Sequence, residues 1–465
     1  MGIGAGMFFS SIRANGAIQA NARRRYAIAL VAILAICVAP TSGAHAAKFA
    51  VLYSFCAVAN CADGANPGNI ILDSSGTLYG TTGSGGAYNG GTAFEMTPNA
   101  TGKKWKEKVL YSFCAKTGCA DGIYPDNLIM DAMGDIYGTS FYGGANNQGE
   151  VFELTPNAAG KKWKERVLYS FCTETGCTDG SYPTGLTLDR AGNLYGSTSG
   201  GGDYTRGVAF ELAFDATKGK WSENVLHSFG LSDDGYPPNG GLIVDHSGNV
   251  FGTTEGAQNP LGVGTIFELT PGAPASEWGE SVLYNFCPVG GCPDGAFPFT
   301  GMIADKSGNF YGTTAGGGAH GNSTCTSWWT GFLGCGVAYK LVRDAATGQW
   351  NETVLYSFCA EANCADGGEP AARPVMDNSG NIYGTAINGG TYNGGTVFKL
   401  DTSGHETVLY NFCTEFVHSN GDCLDGWNVG GLIRGEKGIL YGTASQGGAN
   451  CQSQGGCGVL FAVKP

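Results

Sequence analysis

The stretch VLYSFCAKTGCADG, residues 109–122, decides the fold of this chain because the chain repeats it. Residues 51–64 read VLYSFCAVANCADG, and residues 167–180 read VLYSFCTETGCTDG. The strand-like opening returns at residues 225, 282, 354 and 408, so that successive copies are 58, 58, 58, 57, 72 and 54 residues apart. Seven copies at such spacings indicate that each repeat is one structural unit.

Each unit contains four short segments with the features of β-strands. Around the quoted stretch, Trp105, Glu107 and Val109 alternate with lysines at period two, as the two faces of a strand do. Glycine, asparagine and aspartate bound the segments, and the 79 glycines of the 465 residues thereby lie in the turns of a repeat. Four antiparallel strands repeated seven times predict an all-β fold, a seven-bladed β-propeller with four-stranded blades.

The two ends of the repeat region complete one blade. The region begins with a lone VLYSF strand, Phe49–Phe55, and it ends with the third strand of a unit, Val459–Val463. Pairing these two strands gives the last unit its fourth strand and removes two unpaired sheet edges. We therefore expect residues 47–465 to form one propeller whose ring is closed by its N-terminal outer strand.

Residues 1–46 have the pattern of a secretory signal peptide. Three arginines at residues 23–25 precede the apolar run YAIALVAILAICVAP, and residues 44–46, Ala-His-Ala, form a small-x-small cleavage site. A membrane anchor is the alternative, but the run is short for a membrane span. We expect a cleaved signal and a mature protein that is secreted or periplasmic.

The mature chain is strongly acidic. Of the 26 basic residues, four lie within residues 1–46, which leaves 22 against 39 acidic residues and a formal charge of −17. Nucleic acids and anionic membrane surfaces are therefore disfavoured as partners. We expect a monomer with no membrane span after signal cleavage, with no cofactor and no metal ion.

Sixteen cysteines follow the signal segment and divide into eight pairs of near neighbours. Six units carry a pair in the loop after VLYSF, whereas the fourth unit lacks both members, which argues that the two bond each other. Two further pairs lie in glycine-rich loops. The predicted disulfides are Cys56–Cys61, Cys114–Cys119, Cys172–Cys177, Cys287–Cys292, Cys325–Cys335, Cys359–Cys364, Cys413–Cys423 and Cys451–Cys457.

Zinc is the rival interpretation of these cysteines. Each pair is expected to stand alone, without a second pair or histidines at ligand spacing, which favours disulfides of an oxidising compartment. Strand directions alternate within a blade, so the loops that carry the cysteines should all emerge on one side of the ring. This side is called the disulfide face below.

Two words of the repeat resemble a known family. VLYSF and GGTVFKL, the latter at residues 394–400, resemble the Gloeobacter–Verrucomicrobia (GloVer) tandem repeat of exported bacterial proteins. The stretch LTLDRAGNLYGST, residues 186–198, also resembles an NHL-type propeller repeat. The resemblance covers nearly all of the mature chain. It implies an exported propeller, and it supplies no catalytic residues.

An Asp-Gly pair follows the VLYSF strand in all seven units. The pair could supply a ring of carboxylates that binds cations, or a turn in which Asp accepts hydrogen bonds from nearby backbone N–H groups and Gly takes a positive φ. Because one ligand rarely needs seven identical contacts, the repetition favours the turn. The aspartates are Asp63, Asp121, Asp179, Asp234, Asp294, Asp366 and Asp425.

Function is expected where the repeat is broken, and the longest interruption is HGNSTCTSWWTGFLGC, residues 320–335. The two tryptophans of this loop can stack on sugar rings or meet an apolar patch of a partner. Alternatively, the loop folds a small core of its own. Aromatic residues near other loops of this face should share the surface. The predicted ligand-binding residues are His320, Trp328, Trp329, Phe332, Tyr88, Tyr142, Tyr204, Tyr392 and Trp427.

The sequence thus predicts an exported propeller that binds a carbohydrate or an extracellular protein on its disulfide face. It contains no metalloprotease helix, phosphate loop or serine elbow, and we assign no catalytic residue. Two alternatives stay open. One is an extracellular carbohydrate-active enzyme, a glycoside hydrolase or lyase, whose carboxylate pair a sequence cannot place. The other is a structural protein of the cell surface or matrix.

Overall fold

The computed structural model of the chain describes residues 47–99, 104–157, 162–230, 234–256, 262–272, 277–321, 325, 334–370, 372–414, 416–417, 422–450 and 457–465. Within these ranges, the strands form seven antiparallel sheets of four strands each. The sheets are the blades of a ring, so the prediction of an all-β, seven-bladed propeller is confirmed. The predicted signal segment, residues 1–46, lies outside the described residues.

Each blade has four strands, named a to d from the centre of the ring outward. Blades 1 and 2 consist of β2 (Ala65–Leu72), β3 (Leu78–Ser84), β4 (Thr92–Pro98), β5 (Trp105–Ser112), β6 (Ile123–Met130), β7 (Ile136–Tyr142), β8 (Glu150–Pro156) and β9 (Trp163–Ser170). Blades 3 and 4 consist of β10 (Ser181–Leu188), β11 (Leu194–Gly200), β12 (Val208–Asp215), β13 (Lys220–Ser228), β14 (Tyr236–Val244), β15 (Val250–Gly256), β16 (Thr265–Pro271) and β17 (Trp278–Asn285).

The innermost strands of blades 5 and 6 are short. These two blades consist of β18 (Ile303–Ala304), β19 (Phe310–Thr314), β20 (Val337–Arg343), β21 (Trp350–Ser357), β22 (Val375–Met376), β23 (Ile382–Ala386), β24 (Thr396–Leu400) and β25 (Glu406–Asn411). A small hairpin, β26 (Phe416–Val417) and β27 (Asp422–Cys423), follows blade 6, and the described loops also contain 3₁₀ turns at Ala59–Cys61, Thr117–Cys119, Ala362–Cys364 and Glu436–Gly438.

Blade 7 closes the ring with strands from both ends of the propeller. Its strands are β28 (Trp427–Arg434), β29 (Leu440–Gln446), β30 (Val459–Lys464) and β1 (Lys48–Ser54). β1 pairs antiparallel with β30 and places Phe49 opposite Val463. The ring of Phe49 also stacks on Tyr410 of blade 6, with centroids 3.7 Å apart. The predicted closure by the N-terminal outer strand is confirmed.

The phenylalanine that ends each VLYSF word joins neighbouring blades. Phe113 follows the outermost strand of blade 1, and its buried ring lies 4.8 Å from the ring of Phe152 on strand c of blade 2. Burying such a ring stabilises the fold by roughly 1.5–3 kcal/mol. The repeated word therefore encodes the contact between blades as well as the strand. The equivalent pairs are Phe55–Phe94, Phe171–Phe210, Phe229–Phe267, Phe286–Tyr339, Phe358–Phe398 and Phe412–Phe461.

The glycine of the Tyr-Gly-Thr word makes room for the same ring. A Cβ atom added to Gly138 on strand b would lie 2.4 Å from Cζ of Phe152. A methyl group cannot occupy this space unless the ring moves, so the repeat needs glycine at this position. The VLYSF and YGT motifs therefore act together: the phenylalanine of the first packs on the aromatic ring for which the glycine of the second makes room.

Candidate functional site

The seven innermost strands surround a central channel, and the channel holds a cavity of about 1200 Å³. Innermost strands are bulged where they line it. The register shifts between Pro67 and Ile70 in blade 1, and between Asp126 and Ile129 in blade 2. A bulge interrupts strand pairing locally and redirects the side chains of the residues that leave the ladder. Here the residues of the bulges line the cavity.

Two rings of cavity-lining residues differ from blade to blade, although most other positions repeat. The first ring comes from the bulged part of the innermost segments, and the second lies near the end of strand b. The packing positions are the same in every blade, whereas these two rings vary. The side chains that distinguish one blade from another therefore lie mainly in the channel. The first ring is Asn69, Asn127, Thr184, Asn239, Thr300, Arg373 and Gly431, and the second includes Phe141, Glu255, Ala315, Ile387 and Ser445.

Aromatic side chains gather where the channel opens on the disulfide face. The rings of Phe141 and Tyr182 stack with centroids 5.3 Å apart, and Tyr142 meets both edge-on at 4.8 and 5.6 Å. Tyr124 lies over Gly83 of blade 1, since a Cβ there would be 2.9 Å from the Tyr124 ring. Tyr124 is 51% exposed and Tyr142 is 45% exposed. We call these four residues, Tyr124, Phe141, Tyr142 and Tyr182, the aromatic platform.

Two platform residues have an uncommon backbone conformation. Tyr124 and Tyr182 both have a φ of 60°. This left-handed region is rare for bulky residues and costs on the order of 1 kcal/mol or more for each. The first residues of the bulged segments adopt it in other blades as well, at Phe297, Glu369 and Asn428. The bulge geometry therefore turns these side chains at the edge of the channel.

Polar groups below the platform form a hydrogen-bonded arc across blades 1 to 3. The Nδ2 of Asn69 donates to Oδ1 of Asn127 at 3.1 Å. Asn127 in turn donates to the carboxylate of Asp126 through its N–H at 2.8 Å, and to the carbonyl of Thr184 through Nδ2. Burial raises the pKa of the Asp126 carboxyl, against the hydrogen bonds from the backbone of Asn127 and Asn69. The arc offers amide and carboxyl groups to a ligand.

Blade 4 places a second carboxyl group in the channel. The Nδ2 of Asn239 donates to Oε2 of Glu255 at 3.0 Å. Burial raises the pKa of Glu255, and the bond from Asn239 opposes that rise. Asp126 and Glu255 are therefore two carboxyl groups with perturbed pKa values on the wall of one cavity.

The predicted ligand-binding residues fall into three groups. Tyr142 belongs to the aromatic platform, and Trp427, which is 37% exposed, precedes the cavity-lining Asn428. Tyr88, Tyr204 and Tyr392 are 56, 41 and 49% exposed in the b–c loops of blades 1, 3 and 6. These three blades are not adjacent, so the structure does not bring the three tyrosines together. His320 is exposed in the b–c loop of blade 5, whereas Trp328, Trp329 and Phe332 lie outside the described residues.

Sequence reasoning missed most of the channel. It did not single out Tyr124, Phe141, Tyr182, Glu255 or Arg373. The signal that could have found them is variation between internal copies: the residues after the proline of strand a read GN, DN, TG and NGG in blades 1 to 4. Insertions drew attention instead, because they are visible without aligning the copies.

The Asp-Gly carboxylates belong to the turns. The carboxylate of Asp63 accepts a bond from the Tyr53 hydroxyl at 2.8 Å and from the N–H groups of Ala57 and Val58. Asp121 is fully buried and repeats this pattern with Tyr111. Each carboxylate thus links the loop to the VLYSF strand, which supports the structural interpretation.

The described residues contain seven of the predicted disulfides, Cys56–Cys61, Cys114–Cys119, Cys172–Cys177, Cys287–Cys292, Cys325–Cys335, Cys359–Cys364 and Cys413–Cys423. All seven lie in d–a or b–c loops, hence on the disulfide face. Cys457 is also disulfide-bonded, and its predicted partner Cys451 lies outside the described residues. This content indicates an extracellular or periplasmic protein.

The expectation that each cysteine pair stands alone is wrong. The sulfur atoms of Cys325, Cys335, Cys359 and Cys364 all lie within 4.8 Å of one another. The Cys325–Cys335 disulfide of the blade 5 b–c loop lies against the Cys359–Cys364 disulfide of the loop that joins blades 5 and 6, so two disulfides from different loops pack together. Sequence spacing could not show this contact between two loops.

In the described part of the chain, no helix is both long and apolar enough to cross a membrane. Several solved structures have a similar arrangement of strands. The extracellular domain of BT4673 from B. thetaiotaomicron is 12% identical, with a TM-score of 0.48 over 90% of this chain and 41% of that chain. PorZ, a surface component of the type-IX secretion system of Porphyromonas gingivalis, is 14% identical, with a TM-score of 0.48 over 86% of this chain and 46% of its own. This chain thus spans less than half the length of either protein.

A third similar structure is the PQQ-bound aldose sugar dehydrogenase of Streptomyces coelicolor. It is 12% identical, with a TM-score of 0.39 over 73% of this chain and 93% of that chain. At this level of similarity the strand pairing, and not these matches, establishes the fold. A comparison with curated protein sequences gives no match.

The repeat itself matches a known family over more than half of the chain. The sequence model of the Gloeobacter/Verrucomicrobia repeat matches residues 41–185 and 164–330. These matches include VLYSF copies, YGT words and Asp-Gly loops of the first blades, which are the features that build the interfaces between blades. The chain therefore belongs to the family of Gloeobacter/Verrucomicrobia repeat proteins.

Proposed function

We propose that this protein is an exported binding protein that holds a carbohydrate at the disulfide-face opening of its central channel. The observation that carries the proposal is the aromatic platform beside a polar cavity. Exposed faces of Tyr124 and Tyr142 suit the apolar faces of sugar rings. The amides of Asn69, Asn127 and Asn239 suit sugar hydroxyls, which both donate and accept hydrogen bonds.

The blade 5 insertion stays part of this proposal. Its disulfide, Cys325–Cys335, lies on the same face as the platform, and such a bridge limits the ordering cost when a loop binds a ligand. We propose that Trp328 and Trp329 add aromatic surface at the edge of the opening. The proposal places the mature protein in the periplasm or outside the cell.

A carbohydrate-active enzyme is the second candidate, because Asp126 and Glu255 are carboxyl groups with raised pKa values on one cavity wall. Glycoside hydrolysis needs an acid and a second carboxylate held roughly 5–10 Å apart. Binding without release of reducing ends favours the first proposal, and turnover that Asp126→Asn abolishes favours the second.

The test of binding compares two pairs of exposed tyrosines on the same face. The mature protein is screened on a glycan array, and the affinity of the best glycan is measured by calorimetry. Replacing Tyr124 and Tyr142 with alanine should weaken binding about tenfold or more, because centrally placed aromatic side chains carry much of a binding energy. The matched control, Tyr88→Ala with Tyr392→Ala, should stay within about twofold of wild type. Equal losses in the two variants would contradict the assignment of the site.

A further inference from the structure

The carboxyl groups and the arginines on the cavity wall differ in whether the protein already provides a partner for their charge. The described residues that line the cavity include three carboxyl groups, Asp126, Glu255 and Glu369, and two arginines, Arg373 and Arg434. Each carboxyl group is held by an asparagine amide: Asp126 by Asn127, Glu255 by Asn239, and Glu369 by Asn388 at 2.8 Å. The anionic groups of the cavity are therefore already bonded within the protein.

Arg373 crosses from its own blade to two others. It lies in the innermost segment of blade 6, and its Nε donates to the carbonyl of Met302 in blade 5 at 2.9 Å. Its Nη1 reaches Gly241 of blade 4, where an added Cβ would lie 3.4 Å away. The neighbouring Gly240 and Gly301 have φ values of 74° and 72° and approach each other closely. Because neither residue has a side chain, the side chain of Arg373 has room to reach blades 4 and 5.

Arg373 lines the cavity and takes part in no ion pair among the described residues. Among the residues that the structure describes, no carboxylate lies within 4.0 Å of this guanidinium, and its hydrogen bond to Met302 uses Nε alone. The side chain is exposed to the channel, although the channel walls enclose it. A cation held in such a place, in a chain with a net charge of −13, lacks the counter-charge that enclosed cations usually have.

We infer that Arg373 binds a carboxylate of the ligand, and that the ligand is an acidic oligosaccharide carrying a uronic acid. This inference rests on the proposed function and adds the chemical class of the sugar. The bond from Nε to Met302 fixes the plane of the guanidinium, and a fixed fork of N–H donors matches the two oxygens of a carboxylate. The aromatic platform and the asparagine amides favour a sugar over an acidic peptide as the bearer of that carboxylate.

The negative net charge of the protein restricts further which acidic oligosaccharides can bind. A long polyanion is repelled by a protein of this charge, whereas a single carboxylate can enter the channel and meet Arg373. The ligand is therefore a glycan with a uronate at or near one end. Its remaining sugars lie toward the aromatic platform at the disulfide face.

The experiment measures the affinity of the mature protein for matched pairs of oligosaccharides. The probes are di- to tetrasaccharides that carry one terminal glucuronate, galacturonate or mannuronate and their carboxyl-reduced neutral counterparts, and a triglutamate peptide is the third arm. Wild type should bind at least one uronate about tenfold more tightly than its neutral counterpart. The peptide should bind more weakly than that uronate.

Two variants assign the preference to one residue. Arg373→Gln should lower the affinity for the uronate to that for the neutral sugar and leave the neutral affinity within about twofold. Arg434→Gln, which removes the other arginine of the cavity, should keep the preference. Arg373→Lys keeps the charge but loses the fork, so it should retain only part of the preference.

The outcomes separate this inference from the proposed function. If acidic and neutral sugars bind equally in wild type, Arg373 has no such role and carbohydrate binding still stands. If the triglutamate peptide binds best, the acidic ligand is a protein and the sugar assignment fails. If no oligosaccharide of any pair binds, the uronate inference fails, and the glycan array decides separately whether carbohydrate binding stands. The comparison within wild type decides the matter even where Arg373→Gln does not fold.

Discussion

Four glutamates of strand d are partly buried at the interfaces between blades. Burial of their carboxyl groups opposes the stability that these interfaces otherwise provide. Glu107, Glu223, Glu352 and Glu406 occupy the same position in blades 1, 3, 5 and 6. Each is partly buried at the interface with the preceding blade, close to an Asp-Gly aspartate, and each has one carboxyl oxygen without a hydrogen-bond partner. The protonated, neutral form of these carboxyl groups is therefore more stable at this position than the ionised form.

The protonation of these glutamates predicts how stability depends on pH. Burial, with the charge of the nearby aspartate, raises the pKa from 4.5 to about 7 for Glu107 and to about 8 for Glu223, Glu352 and Glu406. Between pH 4.5 and 8 the unfolded chain releases protons that the folded chain keeps. The free energy of unfolding should therefore be highest near the acidic end and fall as pH rises through this window.

The expected loss is roughly 1 kcal/mol per site after allowance for partial exposure. Changing all four glutamates to glutamine should flatten the profile, because the amide stays neutral at every pH. Melting temperatures measured from pH 5 to pH 8.5 test this, with the exposed Glu436→Gln as control. A profile in the fourfold variant that is as steep as that of wild type would contradict the argument.

The loops between strand d of one blade and strand a of the next are held by two kinds of interaction, a disulfide and a buried aspartate, which sequence reasoning treated separately. The disulfide closes the loop, and the buried aspartate ties it to the tyrosine of strand d. Blade 4 lacks the cysteines but keeps the second device, since Asp234 is bonded to His227 at 3.1 Å and accepts the N–H of Gly230. The aspartate is thus the constant part of the loop, and a disulfide adds about 2 kcal/mol by constraining the unfolded chain.

The closing strand β1 carries the sharpest prediction at this scale. Deleting residues 47–54 removes a strand that pairs with β30 and a ring that stacks on Tyr410, while Cys56 and its disulfide remain. The edge of β30 and the apolar faces of Tyr410 and Phe461 become exposed, so soluble yield should drop sharply. Phe49→Ala alone should lower the free energy of unfolding by about 2–3 kcal/mol. Expression yield and thermal melting check both changes, and a deletion as stable as the full chain would argue against a closed ring.

Across the whole molecule, the parts that recur in seven copies could be predicted and the parts that differ could not. Strand content, ring closure and the local cysteine pairs follow from words such as VLYSF, because each word performs the same packing in every blade. Tyr124 lies just before the register shift of β6, and Arg373 lies outside the short strand β22, so the local sequence determines no regular pairing for either residue. The two residues line one cavity only because the seven innermost strands come together around it.

The same contrast explains why the structure does not bring the described members of the predicted ligand-binding set together in one place. Tyr88 and Tyr392 were chosen because they stand out in glycine-rich loops, yet they lie on blades 1 and 6, with blade 7 between them. Tyr142 was chosen for the same reason, but at the end of β7 its ring packs against Tyr182 and against Phe141, which lines the cavity.

The central claim is that ligand occupies the channel opening on the disulfide face. Hydroxyl-radical footprinting of tyrosine side chains, with and without saturating amounts of the best glycan from the array, tests it most directly. Tyr124 and Tyr142 should lose most of their reactivity on binding, while Tyr88 and Tyr392, which are similarly exposed in the free protein, should keep theirs. Protection of Tyr88 and Tyr392 with unchanged reactivity at Tyr124 and Tyr142 would contradict the claim.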